Sequence, residues 1–225
     1  MVIILGKIGL FLLAYLLGSI PFGLLVGKLF LNIDLREEGS KNIGTSNALR
    51  VMGFWLGSLT LILDALKAAT VVLIVLYVIP EFALLKIGSA TFNIAIFYGI
   101  AAVFGHTFSI FIKFKGGKAV AASLGVVFSL TPIIGVVALV TYIVVVVLTK
   151  YASIGSTIAA LSVGTGVIVQ FCLQNKIQSE LLLIVFYWLM ILFIFYKHIP
   201  NYKRLIKGEE NKMKLGTKNK KWDSN

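Results

Sequence analysis

Carboxylates are scarce in this chain, with nine Asp and Glu among 225 residues against 21 Lys and Arg. Cysteine is scarcer: Cys172 stands alone, so no internal disulfide can form, and a half-buried structural thiol is its expected role. Histidine occurs twice, at His106 and His198. Neither has a second histidine, paired cysteines or clustered carboxylates beside it, so no transition-metal ligand set and no Ser-His-Asp nucleophile set is evident, and neither metal nor cofactor is expected. Charge of either sign makes up only 13% of the chain. That is too little for a water-soluble globule of this length.

What is present is apolar surface. Hydrophobic residues make up 59% of the chain and the mean hydropathy is +0.97. Runs long enough to cross a bilayer recur from end to end, which predicts an all-α, polytopic integral membrane helix bundle. One membrane domain over residues 1–211 leaves no room for a soluble one, and residues 212–225 read as a basic, disordered tail. The first run is no cleaved signal, since it lacks a basic n-region and a small-x-small cleavage site and continues past Pro21 to Leu31. A net charge of +12 would suggest nucleic acid in a soluble protein. Here the surplus sits in loops and tail, where it sets orientation, and no nucleic-acid partner is expected.

Along the chain, residues 2–31 form an apolar segment broken by Gly18-Ser19-Ile20-Pro21-Phe22-Gly23, a kink expected to face protein, where neighbouring groups can re-satisfy the freed carbonyls. From Asn32 to Gly53 the composition turns polar. Ser40, Asn42, Asn47 and Arg50 could converge there on a polar ligand, with Arg50 offering phosphate a bidentate fork; the plainer reading is a loop with a helix N-cap at Ser46 or Asn47. A second span runs from Phe54 to about Ile79 and holds Asp64 and Lys67, three apart on one helix face. They form a structural ion pair or part of a site, and the structural pair is favoured. After a short connection at Pro80–Lys86 a third span reaches about Ile112. It carries His106 near its end, read as an interfacial residue ahead of a site residue.

Residues 119–149 hold a Thr131-Pro132 break and read as one long helix or two short ones, and charge counting decides between them. Two crossings here, with runs 152–171 and 180–197 following, make about seven spans. They place 16 of the 21 Lys and Arg on the cytoplasmic side and leave only Lys7, Lys86 and Lys176 toward the outside. The N-terminus is then external and the C-terminus cytoplasmic. Thirty-one residues must hold two crossings although a full span takes ~20, so one must be short, tilted or re-entrant.

Between long apolar runs lies Ile112-Lys113-Phe114-Lys115-Gly116-Gly117-Lys118-Ala119-Val120. Paired glycines can turn backbone N–H groups toward one point, a following helix start adds its positive end, and lysines supply charge, so the stretch reads as an anion site; the plainer reading is a positive-inside loop. It is not a nucleotide P-loop, because Ala119 follows Gly117-Lys118 where Ser or Thr is required. Near the end of the last span His198, Asn201 and Arg204 recur at intervals of three, on one stripe of a short interfacial helix. With the predicted topology the three polar stretches share one leaflet. Rich in cations and hydroxyls, poor in carboxylates, they suit a phosphate-bearing substrate met at the bilayer surface.

The residues Gly39-Ser40-x-Asn42-Ile43-Gly44-x-x-Asn47 through Arg50, Phe114-Lys115-Gly116-Gly117-Lys118-x-Val120-Ala121, and Lys197-His198-x-x-Asn201-x-x-Arg204-Leu205-x-x-Gly208-x-Glu210 resemble the three motifs of the bacterial acyl-phosphate:glycerol-3-phosphate acyltransferases, the PlsY family. The break at Gly18–Gly23 and the Asp64/Lys67 pair also fit. Departures are Lys41 where glycine is usual, Thr45-Ser46 where Ala-Thr is usual, and Ala122 where threonine is usual. The resemblance implies transfer of a fatty acyl group from acyl phosphate to the 1-hydroxyl of sn-glycerol 3-phosphate, giving lysophosphatidate and inorganic phosphate, the first acylation of phospholipid synthesis. It also implies a bacterial plasma-membrane location with a cytoplasmic site, and a soluble partner that makes acyl phosphate. The His-x4-Asp pattern of the usual glycerolipid acyltransferases is missing, since Phe111 and Lys203 stand where the aspartate would.

On this reading the catalytic set is Ser40, Arg50, Lys118, His198 and Asn201. The Gly116-Gly117 backbone and Lys118 hold a substrate phosphate, with Ser40, Asn42, Asn47, Arg50 and Arg204 around it. His198 and Asn201 orient the attacking hydroxyl, and His198 is the candidate base. Glu210, Asp64 and Lys67 give structural support. The rival class is a transporter or channel for a phosphorylated metabolite, which would need polar residues through the spans. A non-catalytic scaffold leaves His198, Asn201 and Ser40 unexplained.

Overall fold

The computed structural model describes residues 2–88 and 90–213. The chain begins with helix α1 (Val2–Ser19), a break at Ile20-Pro21, and α2 (Phe22–Leu31), which together make one membrane-length segment. Proline supplies no N–H, so the carbonyls around the break lose their helical partners. They find tertiary ones instead. Lys67 Nζ donates to the Ile20 carbonyl at 2.6 Å and Ser109 Oγ donates to that of Ser19. The kink thus faces protein, as its polarity required.

Helix α3 (Thr45–Tyr77) starts eight residues before the polar stretch ends and is kinked at Gly53 (φ 80°). Asn47 and Arg50 therefore stand on the first turns of a helix; the plainer reading's helix start is there, but its N-cap is Gly44 and not Ser46 or Asn47. A hairpin follows, β1 (Leu84–Ile87) paired antiparallel to β2 (Ala90–Asn93), with Leu84 opposite Asn93. The expected short connection at Pro80–Lys86 is thus a longer two-stranded excursion, and the third span, α4 (Ala95–Thr107), begins only after it. Then come α5 (Val120–Leu130), α6 (Pro132–Thr149), α7 (Ala152–Leu173) and α8 (Leu181–Ile206). The break at Thr131-Pro132 splits residues 119–149 into two helices. Helix α5, with 11 residues, is about 16 Å long and is the short member. The last span does not end near Lys197: α8 runs unbroken through Pro200, so His198, Asn201 and Arg204 belong to it.

Among the described residues six segments are long and apolar enough to cross a membrane, and α5 is a shorter seventh. Their outer faces expose Leu29, Leu148 and Leu173 at 77–80%. Such surface is stable against lipid and not against water. Inside, α1 packs on α4, α3 on α5 and α6 on α7. The α1–α4 contact is close because it is built on small residues. A methyl on Gly18 would lie 2.1 Å from the Ala102 carbonyl oxygen, and one on Gly105 2.1 Å from that of Tyr15.

The topology gathers the polar stretches. Lys7 near the start reaches the Leu84 carbonyl at the hairpin end, whereas Arg50, Lys118, Lys150, Asn201 and Glu210 meet at the opposite end. Met213, two residues beyond the expected domain limit, belongs to the packed body: its N–H donates to the Lys150 carbonyl at 2.7 Å and its side chain is buried against Leu49, Tyr142, Val146 and Ala152. The rest of the expected tail, residues 214–225, lies outside the described residues.

Candidate active site

The loop before α3 is held by one buried amide. Asn47 Oδ1 accepts from the Ser40 N–H at 2.8 Å, and its Nδ2 donates to the carbonyls of Glu38 (3.0 Å) and Leu35 (3.2 Å). Asn42 Oδ1 accepts from the Gly44 N–H at 2.9 Å and closes the following turn. Both asparagines thus shape the loop. The stretch also lines a cavity with Ser40, Asn42, Thr45, Ser46 and Asn47, and the Ser40 hydroxyl there takes no protein partner among the described residues.

Lys118 enters the same cavity from the loop before α5. Its Nζ donates to Asn201 Oδ1 on α8, Asn201 Nδ2 donates to Glu210 Oε1 at 2.7 Å, and Glu210 Oε2 accepts from Arg204 Nε at 2.9 Å. Ser153 of α7 donates to Glu210 Oε1 at 3.0 Å. Glu210 therefore anchors Asn201, and Asn201 aims Lys118. Burial, with Arg204, Arg50 and Lys197 close by, pushes the Lys118 ammonium down to about 8, and the carboxylate of Glu210 works against that fall. Arg204 is taken up by its ion pair and does not line the cavity, so it supports the carboxylate where the sequence suggested a phosphate ligand.

The glycines of the lysine loop also have another job. Gly116 N–H donates to the Thr107 carbonyl and Gly117 N–H to that of His106, both at 3.0 Å, so neither is free to hold an anion. A methyl on Gly116 would lie 2.0 Å from the His106 carbonyl oxygen and one on Gly117 2.1 Å from His106 Nε2. Their lack of side chains lets the loop lie flat on the end of α4. The helix start that borders the cavity is that of α5, where Val120 and Ala121 line it at the positive end of the helix.

His198 is 3% exposed and fixed by its Nδ1, which pairs with the Ile194 carbonyl at 2.8 Å. A carbonyl can only accept, so Nδ1 carries the proton and the lone pair stays on Nε2. The ring lines the cavity. Arg50 lines it too, and its guanidinium also holds the chain after α8, donating to the Asn211 carbonyl at 3.1 Å and that of Lys212 at 3.4 Å. Asp64 and Lys67 pair at 2.7 Å in the core, with His106 Nδ1 3.5 Å from the same carboxylate oxygen. Among the described residues no three His, Cys, Asp or Glu side chains converge as a metal site.

The cavity encloses about 110 Å³ and continues into an apolar groove of about 60 Å³ between α5, α6, α7 and α8, with Val120, Leu124, Leu139, Tyr142 and Ser156 common to both. Sequence reasoning missed Ser153, Ser156 and Tyr142. The two serines stand three apart in the first turns of the span that follows Lys150, and hydroxyls recurring on one face of a membrane helix were the available signal.

Residues 8–208 match the family model described as glycerol-3-phosphate acyltransferase. A glycerol-3-phosphate acyltransferase of Acholeplasma laidlawii is 42% identical over 212 residues, covering 89% of this chain and 90% of that one. One from Fusobacterium nucleatum is 39% identical, covering 90% and 96%. The fold is similar to crystal structures of PlsY, an integral membrane glycerol 3-phosphate acyltransferase. For its glycerol 3-phosphate form the TM-score is 0.78 at 32% identity, over 93% of this chain and 96% of that one; for its lysophosphatidic acid form it is 0.75 at 30% identity, over 92% and 95%.

Proposed function

This chain belongs to the glycerol-3-phosphate acyltransferase family, a multi-pass membrane enzyme that acylates glycerol 3-phosphate, and from that premise we propose that its acyl donor is acyl phosphate and its acceptor atom the 1-hydroxyl. One observation carries this reading: a cavity with Lys118 and Arg50 at its polar end opens directly onto an apolar groove. Such a site takes a phosphate and a hydrocarbon chain together. A transporter would need the polar lining to continue through the bundle, and this lining gives way to Val127, Val163 and Ile191.

The hydroxyl oxygen attacks the acyl carbonyl carbon and the new ester C–O bond forms. The C–O bond to phosphate breaks, and its electron pair leaves with inorganic phosphate. The hydroxyl proton passes to His198 Nε2. Lys118, Arg50, the Ser40 hydroxyl and the start of α5 neutralise the two phosphates, so that two anions can approach each other. An acyl phosphate is already activated, and positioning is the main work left to the protein. Asn201 sets Lys118, and Glu210 with Arg204 sets Asn201. The polar end faces the cytoplasm of a bacterial plasma membrane, a side supported by the excess of Lys and Arg there, and a soluble enzyme supplies the acyl phosphate.

The test is purified protein in detergent with long-chain acyl phosphate and glycerol 3-phosphate. One lysophosphatidate and one inorganic phosphate per turnover are expected; acylation from a thioester but not from acyl phosphate would overturn the donor assignment. A His198→Ala variant that keeps full transfer would pass the proton to the departing phosphate.

A further inference from the structure

The apolar groove has a floor, and we propose that Tyr187 is the residue that sets how the enzyme responds to acyl-chain length. This rests on the reading of the groove as the acyl channel. Its walls are stripes on four helices, with Ala138, Leu139 and Tyr142 the share of α6. On α8, His198 and Asn201 line the polar cavity, while Ile194, Ile191, Met190 and Tyr187 continue the same face inward. On α7 the sequence is Ser153 and Ser156, then Ala159, Ala160 and Val163, and on α5 it is Val120, Leu124 and Val127. From Val120 to Val127, Ser156 to Val163 and Ile194 back to Tyr187, the groove runs seven residues along α5, α7 and α8, or about 10 Å.

Beyond that depth the stripes close. Val167 and Phe171 on α7, Ile184 on α8 and Ile134 on α6 pack into the core. The Tyr187 ring is 1% exposed, and its hydroxyl is tied across the groove end to Thr131, at the α5–α6 break, at 2.9 Å. This polar pair ties α8 to the α5–α6 break at the inner end of the groove, and it fixes the ring as a bar. One leaflet of hydrocarbon is about 15 Å deep. An acyl chain that spans a leaflet therefore meets Tyr187 before its end, whereas a short one does not.

The experiment is a series of acyl phosphates of graded chain length with the intact protein in detergent, read as kcat/KM at each length. In the native protein kcat/KM should climb with length and then level off where the chain reaches Tyr187. Each additional buried methylene is worth roughly fourfold in affinity. Tyr187→Leu, which removes both the ring and its tie, should therefore move the plateau to longer chains and raise the long-to-short ratio more than tenfold. Val163→Ala, which lowers the wall at the same depth without touching the tie, should shift it in the same direction and serves if the first variant does not fold. Tyr187→Phe keeps the ring and should keep the plateau. Ala160→Leu, filling the groove halfway, should move the plateau to shorter chains. If Tyr187→Leu and Val163→Ala change all lengths by one factor while Ala160→Leu shortens the plateau, the chain occupies the groove and the floor assignment is wrong. If Ala160→Leu also leaves the profile unchanged, the groove does not hold the chain and the wider reading falls with it.

Discussion

Asp64, Lys67 and His106 meet where α3 packs on α4; Lys118, Asn201, Glu210 and Arg204 meet where the loop before α5 approaches α8. Each cluster sets a lysine near a carboxylate inside an apolar bundle, yet they differ in what stands between the two charges. Lys67 touches Asp64 directly and gives another bond to the Ile20 carbonyl, with both side chains 2–3% exposed. Lys118 reaches Glu210 only through the neutral amide of Asn201, which leaves two of its three N–H donors without a partner among the described residues. A direct pair cancels its own charge and pins the Pro21 break to α3. An amide relay holds a cation in place without cancelling it, and the cation stays available to a phosphate.

The comparison breaks most visibly at Asp64. Asp64→Asn leaves Lys67 buried without a counter-charge, and losing one partner of such a pair costs about 3–5 kcal/mol. A large fall in melting temperature in detergent is expected, with the acylation rate per folded molecule near the native value. A variant that melts normally but has lost acylation would put Asp64 in the reaction. Lys118→Met should do the reverse. Removing one charge-stabilising donor from a preorganised site typically costs 10²–10³ in rate, so kcat/KM for glycerol 3-phosphate should fall by about that much, with melting little changed. Lys118→Arg should recover only part of it, because the planar guanidinium does not fit the single Asn201 Oδ1 contact as a point charge does.

Both clusters were legible in the sequence to different depths, for physical reasons. A charge inside an apolar run is conspicuous and needs a partner nearby, so Asp64 and Lys67 could be paired from spacing alone. The break at Pro21 and the grouping of three polar stretches at one end follow from the same contrast. Which bonds those polar groups make could not be read. Gly116 and Gly117 look like an anion loop until their N–H groups are seen donating to His106 and Thr107, ten residues or so back in the chain and adjacent only after folding. Asn201 looks like a substrate ligand until both ends of its amide are found engaged. The hairpin at residues 84–93 was readable: Gly88-Ser89 between two short strand-forming runs is a turn signal, concealed by the apolar stretch after it.

A smaller effect sharpens the contrast through pH. Lys118 lies below its ordinary value, at about 8, so it loses its proton as the pH rises through 8, well before an exposed lysine would. Above that point the cavity carries one positive charge fewer. The apparent KM for glycerol 3-phosphate should then rise, approaching tenfold per pH unit, as expected for one required proton on the free enzyme. Because the Glu210 carboxylate raises Lys118, Glu210→Gln should move this limb to lower pH. Titration of KM from pH 6 to 9.5 in both proteins checks the sign. An unchanged limb in Lys118→Arg would assign it to another group.

The smallest effect concerns Arg50, which shares its guanidinium between the cavity and the chain after α8. Its bonds to the Asn211 and Lys212 carbonyls depend on that segment lying across the site, and the segment is held by Met213, buried among Leu49, Tyr142, Val146 and Ala152. Met213→Ser removes the apolar anchor, together with the Sδ that accepts from Arg50 Nη2 at 3.7 Å, and changes no residue that lines the cavity. Arg50 then keeps its position only through Asn47 Oδ1, 3.5 Å from Nη1. The loss should be that of about one neutral hydrogen bond, ~0.5–1 kcal/mol, which appears as a roughly threefold rise in KM for glycerol 3-phosphate with kcat nearly unchanged. Faster proteolytic cleavage after Lys207 in the variant, slowed again by glycerol 3-phosphate, would tie that rise to release of the segment. A kcat that falls with KM constant would instead place Arg50 on the transition state, independent of the segment that Met213 anchors.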